Sequence, residues 1–204
     1  MKVAVCKTML GAIAALVSAH ANAAWEGPFG LKEGLSLAEI KSVAKVARSG
    51  NALTYSADTL PVPHAAFALY VLKISEKAGL CEIIAVSPQK PSDAFGEGLR
   101  SNYGAVRDAL VEKYGEPSGE EDSVRPGSMW TAPQYFMMGL MKGERALRAI
   151  WLTEKSSKLP ATLSRVGIIA AAESQSKGNF SLHYRFSNHA TCTAEEKALE
   201  NKGL

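Results

Sequence analysis

Two apolar runs parted by a polar turn, Ala65 to Ser87 (AAFALYVLKISEKAGLCEIIAVS), dominate the hydrophobic pattern of the chain. Runs rich in Val, Ile, Leu, Phe and Tyr and broken by Ser75-Glu76-Lys77 before Ala78-Gly79 predict a β-hairpin. Phe67, Leu69 and Val71 fall on one side and Tyr70, Leu72 and Ile74 on the other. Both sides being apolar, the hairpin is expected in the middle of a sheet. A helix is expected on each side of it. Ser36-Leu37-Ala38-Glu39 is a capping box with Leu35 and Ile40 at staple spacing, which predicts a helix from about Leu37 to Arg48. Leu99, Tyr103, Val106, Leu110 and Tyr114 recur at helical steps from Glu97 until Gly115 and Pro117 end the pattern. Ala52 to Tyr55 reads as a short strand.

Residues 116–129 (EPSGEEDSVRPGSM) are polar, acidic and interrupted by Gly and Pro, which predicts a linker or long surface loop. Beyond it the pattern restarts. Thr131-Ala132-Pro133-Gln134 has the spacing of a second capping box, followed by Tyr135, Met138 and Met141. Phe136, Met137, Met138, Leu140 and Met141 make that helix apolar almost all round, as a core helix is, with Trp130 and Trp151 at core edges. Three strand-like runs follow: Ala146–Thr153, Thr162–Ala172 and Phe180–Phe186, the last after a turn at Ser176-Lys177-Gly178-Asn179. It alternates strictly, with Phe180, Leu182, Tyr184 and Phe186 inward and Ser181, His183, Arg185 and Ser187 outward, so one of its faces is expected to be wet. Thr193-Ala194-Glu195-Glu196 is read as the cap of a final helix. The expected fold is therefore α+β, with two helix-plus-antiparallel-sheet halves, 24–115 and 130–204, sharing a core.

The N-terminus changes the picture of compartment and charge. Lys2 and Lys7, an apolar Met9–Ala19 and the A-x-A site Ala21-Asn22-Ala23 are the layout of a secretory signal peptide, residues 1–23, cleaved after Ala23. A periplasmic or secreted protein is expected. No later run approaches the ~20 apolar residues of a membrane-spanning helix, so no stable membrane insertion is expected. The chain's formal net charge of +3 falls to +1 once Lys2 and Lys7 are set aside, and no basic block with interleaved aromatics remains, which gives no support to a nucleic-acid partner. Cys6 leaves with the signal. Cys81 and Cys192 remain, and in an oxidising compartment they are expected to form a disulfide.

Candidate chemistry is sparse. His64, His183 and His189 lack the close spacing of a zinc site, so neither a metal nor another cofactor is expected. No G-x-S-x-G elbow, Walker pattern or dinucleotide fingerprint is present, and no catalytic residue is assigned. Glu82, in a strand beside Cys81, is read as reaching solvent or an arginine. The outward row holding His183 and Arg185 is the candidate binding face.

The segment Phe29–Ile40 (FGLKEGLSLAEI) resembles the G-M-[ST]-x-x-x-V helix start of the small lipoprotein subunit of the outer-membrane β-barrel assembly machinery and of β-lactamase-inhibitor proteins. Leu35 stands where methionine is usual, and no cysteine follows the cleavage site to carry a lipid. The chain is also similar to short secreted bacterial proteins. The resemblance implies helices packed on an antiparallel sheet, in tandem copies in the inhibitors, and a role in binding other proteins. Together these readings favour a protein-binding or inhibitor-like module with an envelope protein as partner, acting through the sheet face or the 116–129 loop, and they lean away from an enzyme. A carrier of a small apolar ligand would need a cavity between sheet and helices. An envelope hydrolase would need a histidine to meet a carboxylate and a hydroxyl in a cleft.

Overall fold

The structure, a computed structural model, describes residues 27–155 and 158–203. The expected signal peptide and Trp25 lie outside the described residues. Among the described residues the chain forms four helices and nine strands, and all strand pairings are antiparallel. The helices are α1 (Leu37–Val43), α2 (Glu97–Tyr114), α3 (Phe136–Met141) and α4 (His189–Glu200). The strands are β1 (Ala47–Arg48), β2 (Thr54–Ala57), β3 (Leu69–Ser75), β4 (Gly79–Val86), β5 (Lys90–Pro91), β6 (Gly119–Val124), β7 (Arg145–Leu152), β8 (Leu163–Ser174) and β9 (Lys177–Phe186). They lie in the order β1-β2-β3-β4-β9-β8-β7-β6, with β5 pairing the start of β9. The fold is α+β, and the strands of both segments join in one sheet over one apolar cluster.

The hairpin takes its expected place inside the sheet, but its faces differ. Tyr70, Leu72 and Ile74 are buried, whereas Leu69 is 38% exposed and Val71 half-buried. Its turn is held from several directions. Ser75 Oγ accepts from Lys77 N and Ala78 N at 3.0 and 2.9 Å, and Gly79 turns with φ +68° where a Cβ would lie 2.0 Å from Gly34 O. Lys73 pairs with Glu82 but Ile74 with Leu80, so Cys81 is an extra residue. Such a bulge lets side chains on its two flanks face as packing requires. Leu80 joins the main apolar cluster, while Cys81 meets Cys192 of α4 in a disulfide with Cα atoms 6.5 Å apart.

α2 has the expected bounds and buries Leu99, Tyr103, Val106, Leu110 and Tyr114. It packs with α3 on one face of β8 and β9. Both helices close on Gly178, where a Cβ would come within 2.9 Å of Leu99 Cδ2 and 3.0 Å of Met137 Cε.

Several expectations are corrected. α1 keeps its capping box, with Ser36 N donating to Glu39 Oε2 at 2.8 Å, but it ends at Val43, because two turns already bury Ile40 and the following residues pair as β1 with β2. The 116–129 segment is not a loop throughout, since residues 119–124 form the edge strand β6. Its acidity is matched by arginines on neighbouring elements: Arg107 to Glu120 at 2.8 Å, Arg148 to Glu121 at 2.7 Å, and Arg145 and Arg100 to Asp122 at 3.0 and 3.3 Å. Charged side chains also suit an edge strand, because they discourage pairing with further chains.

The box at Thr131 does not form. Pro133–Tyr135 is a 3₁₀ turn in which Tyr135 N bonds Ala132 O at 2.9 Å, and α3 buries Phe136, Met137, Gly139 and Leu140 rather than the Tyr135-Met138-Met141 stripe. Trp151 is fully buried, not at a core edge, with Nε1 donating to Gly115 O at 2.7 Å. The turn before β9 falls earlier, so that Lys177 already pairs with Ser174. α4 begins after Asn188, four residues before Thr193, because Asn188 docks on the hairpin through Ala78 O at 2.8 Å and Leu80 O at 3.0 Å. Glu195 is then no cap of its own helix. It accepts from Ser75 Oγ and from the N–H groups of Glu76 and Lys77, which holds its carboxyl below the ordinary range, chiefly through Ser75.

Hydrogen exchange is expected to show protected amides in residues 119–124 on the side facing β7 and at Arg125, whose N–H donates to Glu144 O at 2.7 Å, and fast exchange at Gly127 and Met129. Uniformly fast exchange over 116–129 would contradict the edge strand. Cys81→Ser with Cys192→Ser is expected to cost about 4–5 kcal/mol in a denaturant titration, from the chain-entropy cost of a loop of this size, given a sequence separation of 111.

Candidate functional site

One face of the sheet is covered by α2, α3 and the residues before α1; on the other, α4 covers only the end near the hairpin turn. Strand register sets out three rows across this open face. The first holds Leu69, Val86, Ser181, Ile169 and Arg148, the second Val71, Ile84, His183, Gly167 and Ile150, and the third Lys73, Glu82, Arg185, Arg165 and Leu152. Half-buried aliphatic side chains therefore alternate with charges, and His183 and Arg185 lie together at its centre.

Glu82 reaches an arginine, one of the two outcomes read from the sequence, but as a buried carboxylate with further partners. Its side chain is 6% exposed, and Arg185 Nε donates to its Oε1 at 2.8 Å. His183 Nδ1 stands 3.9 Å from the same oxygen, and His189 Nε2, from α4, stands 3.4 Å from Oε2. Burial alone would raise this carboxyl, but its interactions with His183 and Arg185, and the charges of Arg185 and His189, outweigh burial and hold it at about 2. A buried carboxylate persists only with such partners. His189 is pushed below the usual imidazole range, first by burial and then by Arg185 and Lys73, against the pull of Glu82. Nearby, Lys73 Nζ pairs with Glu196 of α4 at 2.8 Å. The only sequence signal for this cluster was a lone Glu inside an apolar strand.

Arg165, one strand beyond Arg185, makes no ion pair with a described residue. Burial lowers its guanidinium, and the charge of Arg185 adds to that. It lines a cavity of about 340 Å³ with Arg148, Ile150, Ile169 and Glu121.

Ser181 Oγ lies 2.8 Å from His183 Nε2, so Ser181, His183 and Glu82 stand in the order hydroxyl, imidazole, carboxylate. Acyl transfer also needs donors aimed at a developing oxyanion. β9 is paired on both sides from Ser181 to Arg185, so its backbone N–H groups are committed to the sheet ladders. β9 itself therefore supplies no free oxyanion donor to this group. No group of three or more His, Cys, Asp or Glu side chains among the described residues is placed to hold a metal, and no described helix is long and apolar enough to cross a membrane.

His64 is not brought to this cluster. It lies on the covered side, between two adjoining cavities of about 310 and 390 Å³ that run along α2 and share His64, Val106 and Ala109 in their lining. Comparison with protein-family models, curated proteins and solved structures finds no match to the chain.

Glu82→Gln is expected to lower stability at pH 7 by roughly 3 kcal/mol, the energy of a shift from 4.5 to about 2. The sign follows from a folded-state value below the unfolded one. The contribution is complete above about pH 4.5 and is lost as the pH falls towards 2. Denaturation curves of wild type and variant should therefore converge over that window; a constant gap between pH 7 and pH 2 would remove Glu82 from the acid response.

Proposed function

We propose that the protein is a secreted, periplasmic binding module that recognises an envelope protein through the open face of its sheet. What supports this reading is a broad antiparallel face on which, among the described residues, α4 alone lies and only at one end, with the aliphatic side chains Leu69, Ile84 and Ile169 set around a charged centre held in fixed geometry by Glu82. Buried contacts at the rim of such a face would supply area, and the pre-placed Arg185 and His183 would supply orientation at low entropic cost. The Cys81–Cys192 disulfide suits an oxidising compartment, and the first 23 residues have the composition of a signal peptide. The mirrored strand order β2-β3-β4 against β9-β8-β7 accords with two helix-plus-sheet halves. Among the described residues β6 forms one outer edge of the face, so the acidic 116–129 segment would lie beside a bound partner.

A second reading, carriage of a small apolar ligand, draws on the cavities along α2. They are of the size and apolar character of small-molecule sites.

Affinity capture from an envelope extract tests the first reading. The purified protein is expected to retain one enriched partner, and a Leu69→Lys, Ile169→Lys double variant of unchanged melting temperature is expected to lose it. Glu112→Lys, on the solvent side of α2, should retain it. A partner held equally by the double variant would move recognition off the open face.

A further inference from the structure

We infer that the groove along α2 binds a single-chain amphiphile with a carboxylate head, the head at Lys90 and Asn102 and the chain running towards Phe29 and Tyr184. This inference rests on the carrier reading and names its ligand class. The two cavities meet at His64, Val106 and Ala109. Their lining spans α2 from Leu99 to Lys113, about 21 Å at a helical rise of ~1.5 Å per residue. One leaflet of a bilayer's hydrocarbon core is about 15 Å thick, so a lipid acyl chain fits lengthwise with room for a head.

The two ends differ in chemistry. The end near Lys113 has an aromatic wall: Phe29 packs edge-on against Phe67, Tyr70 and Tyr184 at 5.7, 5.0 and 5.7 Å. Phe29 is held there in a left-handed conformation, φ +57°, a cost that a non-glycine residue bears only where its surroundings compensate it. The other end carries Lys90, Asn102, Ser87 and Asn179.

Charge selects the head. The lining of both cavities contains lysines and a histidine and no carboxylate. Lys113 is engaged over the Tyr114 ring, with Nζ 5.2 Å from its centroid. Among the described residues the Lys90 ammonium has only a long contact, to Asn102 Oδ1 at 3.4 Å, so its charge is available to an anion. At the midpoint His64 Nδ1 accepts from Ala66 N at 3.1 Å, which places the proton of the neutral ring on Nε2 and leaves a donor beside the chain's path.

The test is displacement of the fluorescent fatty acid dansyl-undecanoate from the purified protein by palmitate and by hexadecanol. Wild type is expected to bind the probe and release it to palmitate. Ala109→Trp, at an exposed helix position that lines both cavities, should weaken binding by about tenfold or more through overpacking of the groove. Lys90→Gln should weaken palmitate by up to about fivefold, as loss of an exposed charge contact would, and leave hexadecanol unchanged. If Ala109→Trp abolishes both ligands while hexadecanol competes as well as palmitate and Lys90→Gln alters neither, the carrier reading stands and the carboxylate assignment falls. If the probe does not bind, or Ala109→Trp binds it as wild type does, both fall.

Discussion

The pairing of β4 with β9 is the contact on which the rest of the structure depends. It joins residues about a hundred positions apart, from Glu82 opposite Arg185 to Val86 opposite Ser181, and it alone makes one sheet of two meanders. Closing so long a loop carries an entropic cost that local hairpins avoid. Three features offset it at one place. Ile83 and Ala85 face the same core as Leu182 and Tyr184, Glu82 meets Arg185 across the ladder, and the disulfide ties the bulge of β4 to α4 just after β9 ends. The ion pair does more than add energy. A slip of one residue would turn Arg185 into the core and leave Glu82 buried without its cation, so the charged pair opposes every register but the observed one.

From that junction follows the asymmetry of the two faces. β9 is central, and its period of two sends Phe180, Leu182, Tyr184 and Phe186 to the helices and Ser181, His183 and Arg185 to the open side. Helices α2 and α3 are spent on one face. α4 reaches the other face only at the hairpin turn, where its residues serve the turn rather than a core: Asn188 and Glu195 satisfy the backbone there, and Glu196 pairs with Lys73. Among the described residues no other helix lies on the open face, and its polar rows stay in contact with solvent.

Much of this was legible in the sequence where one period governs a long segment. α2 and β9 each repeat a single pattern, and the five apolar positions of α2 and the four expected inward positions of β9 are all buried. The β3–β4 hairpin was equally plain. The failures share a cause. β6 looks like a loop because its strand state depends on arginines drawn from α2 and β7, and the cap of α4 depends on hairpin carbonyls more than a hundred residues away. Thr131 and Thr193 have the right local spacing for a capping box, but tertiary contacts set the helix starts elsewhere. An arginine partner for Glu82 was legible, but the cluster was not, since His183, Arg185 and His189 are not its neighbours in sequence.

The two surfaces proposed for binding are opposite sides of the same strands, and this separates their chemistry. A side chain at an odd position of β9 between Ser181 and Arg185 enters the charged open face, and one at an even position supports the aromatic wall or the core beneath α2. The sheet between them has its backbone groups satisfied on both edges of β9, so neither surface can borrow a hydrogen bond from the other. A protein partner and an apolar ligand would thus be read by disjoint residues of one rigid element. Occupation of the groove would alter the open face only by moving the sheet itself, which the Cys81–Cys192 link and the Glu82 cluster both resist.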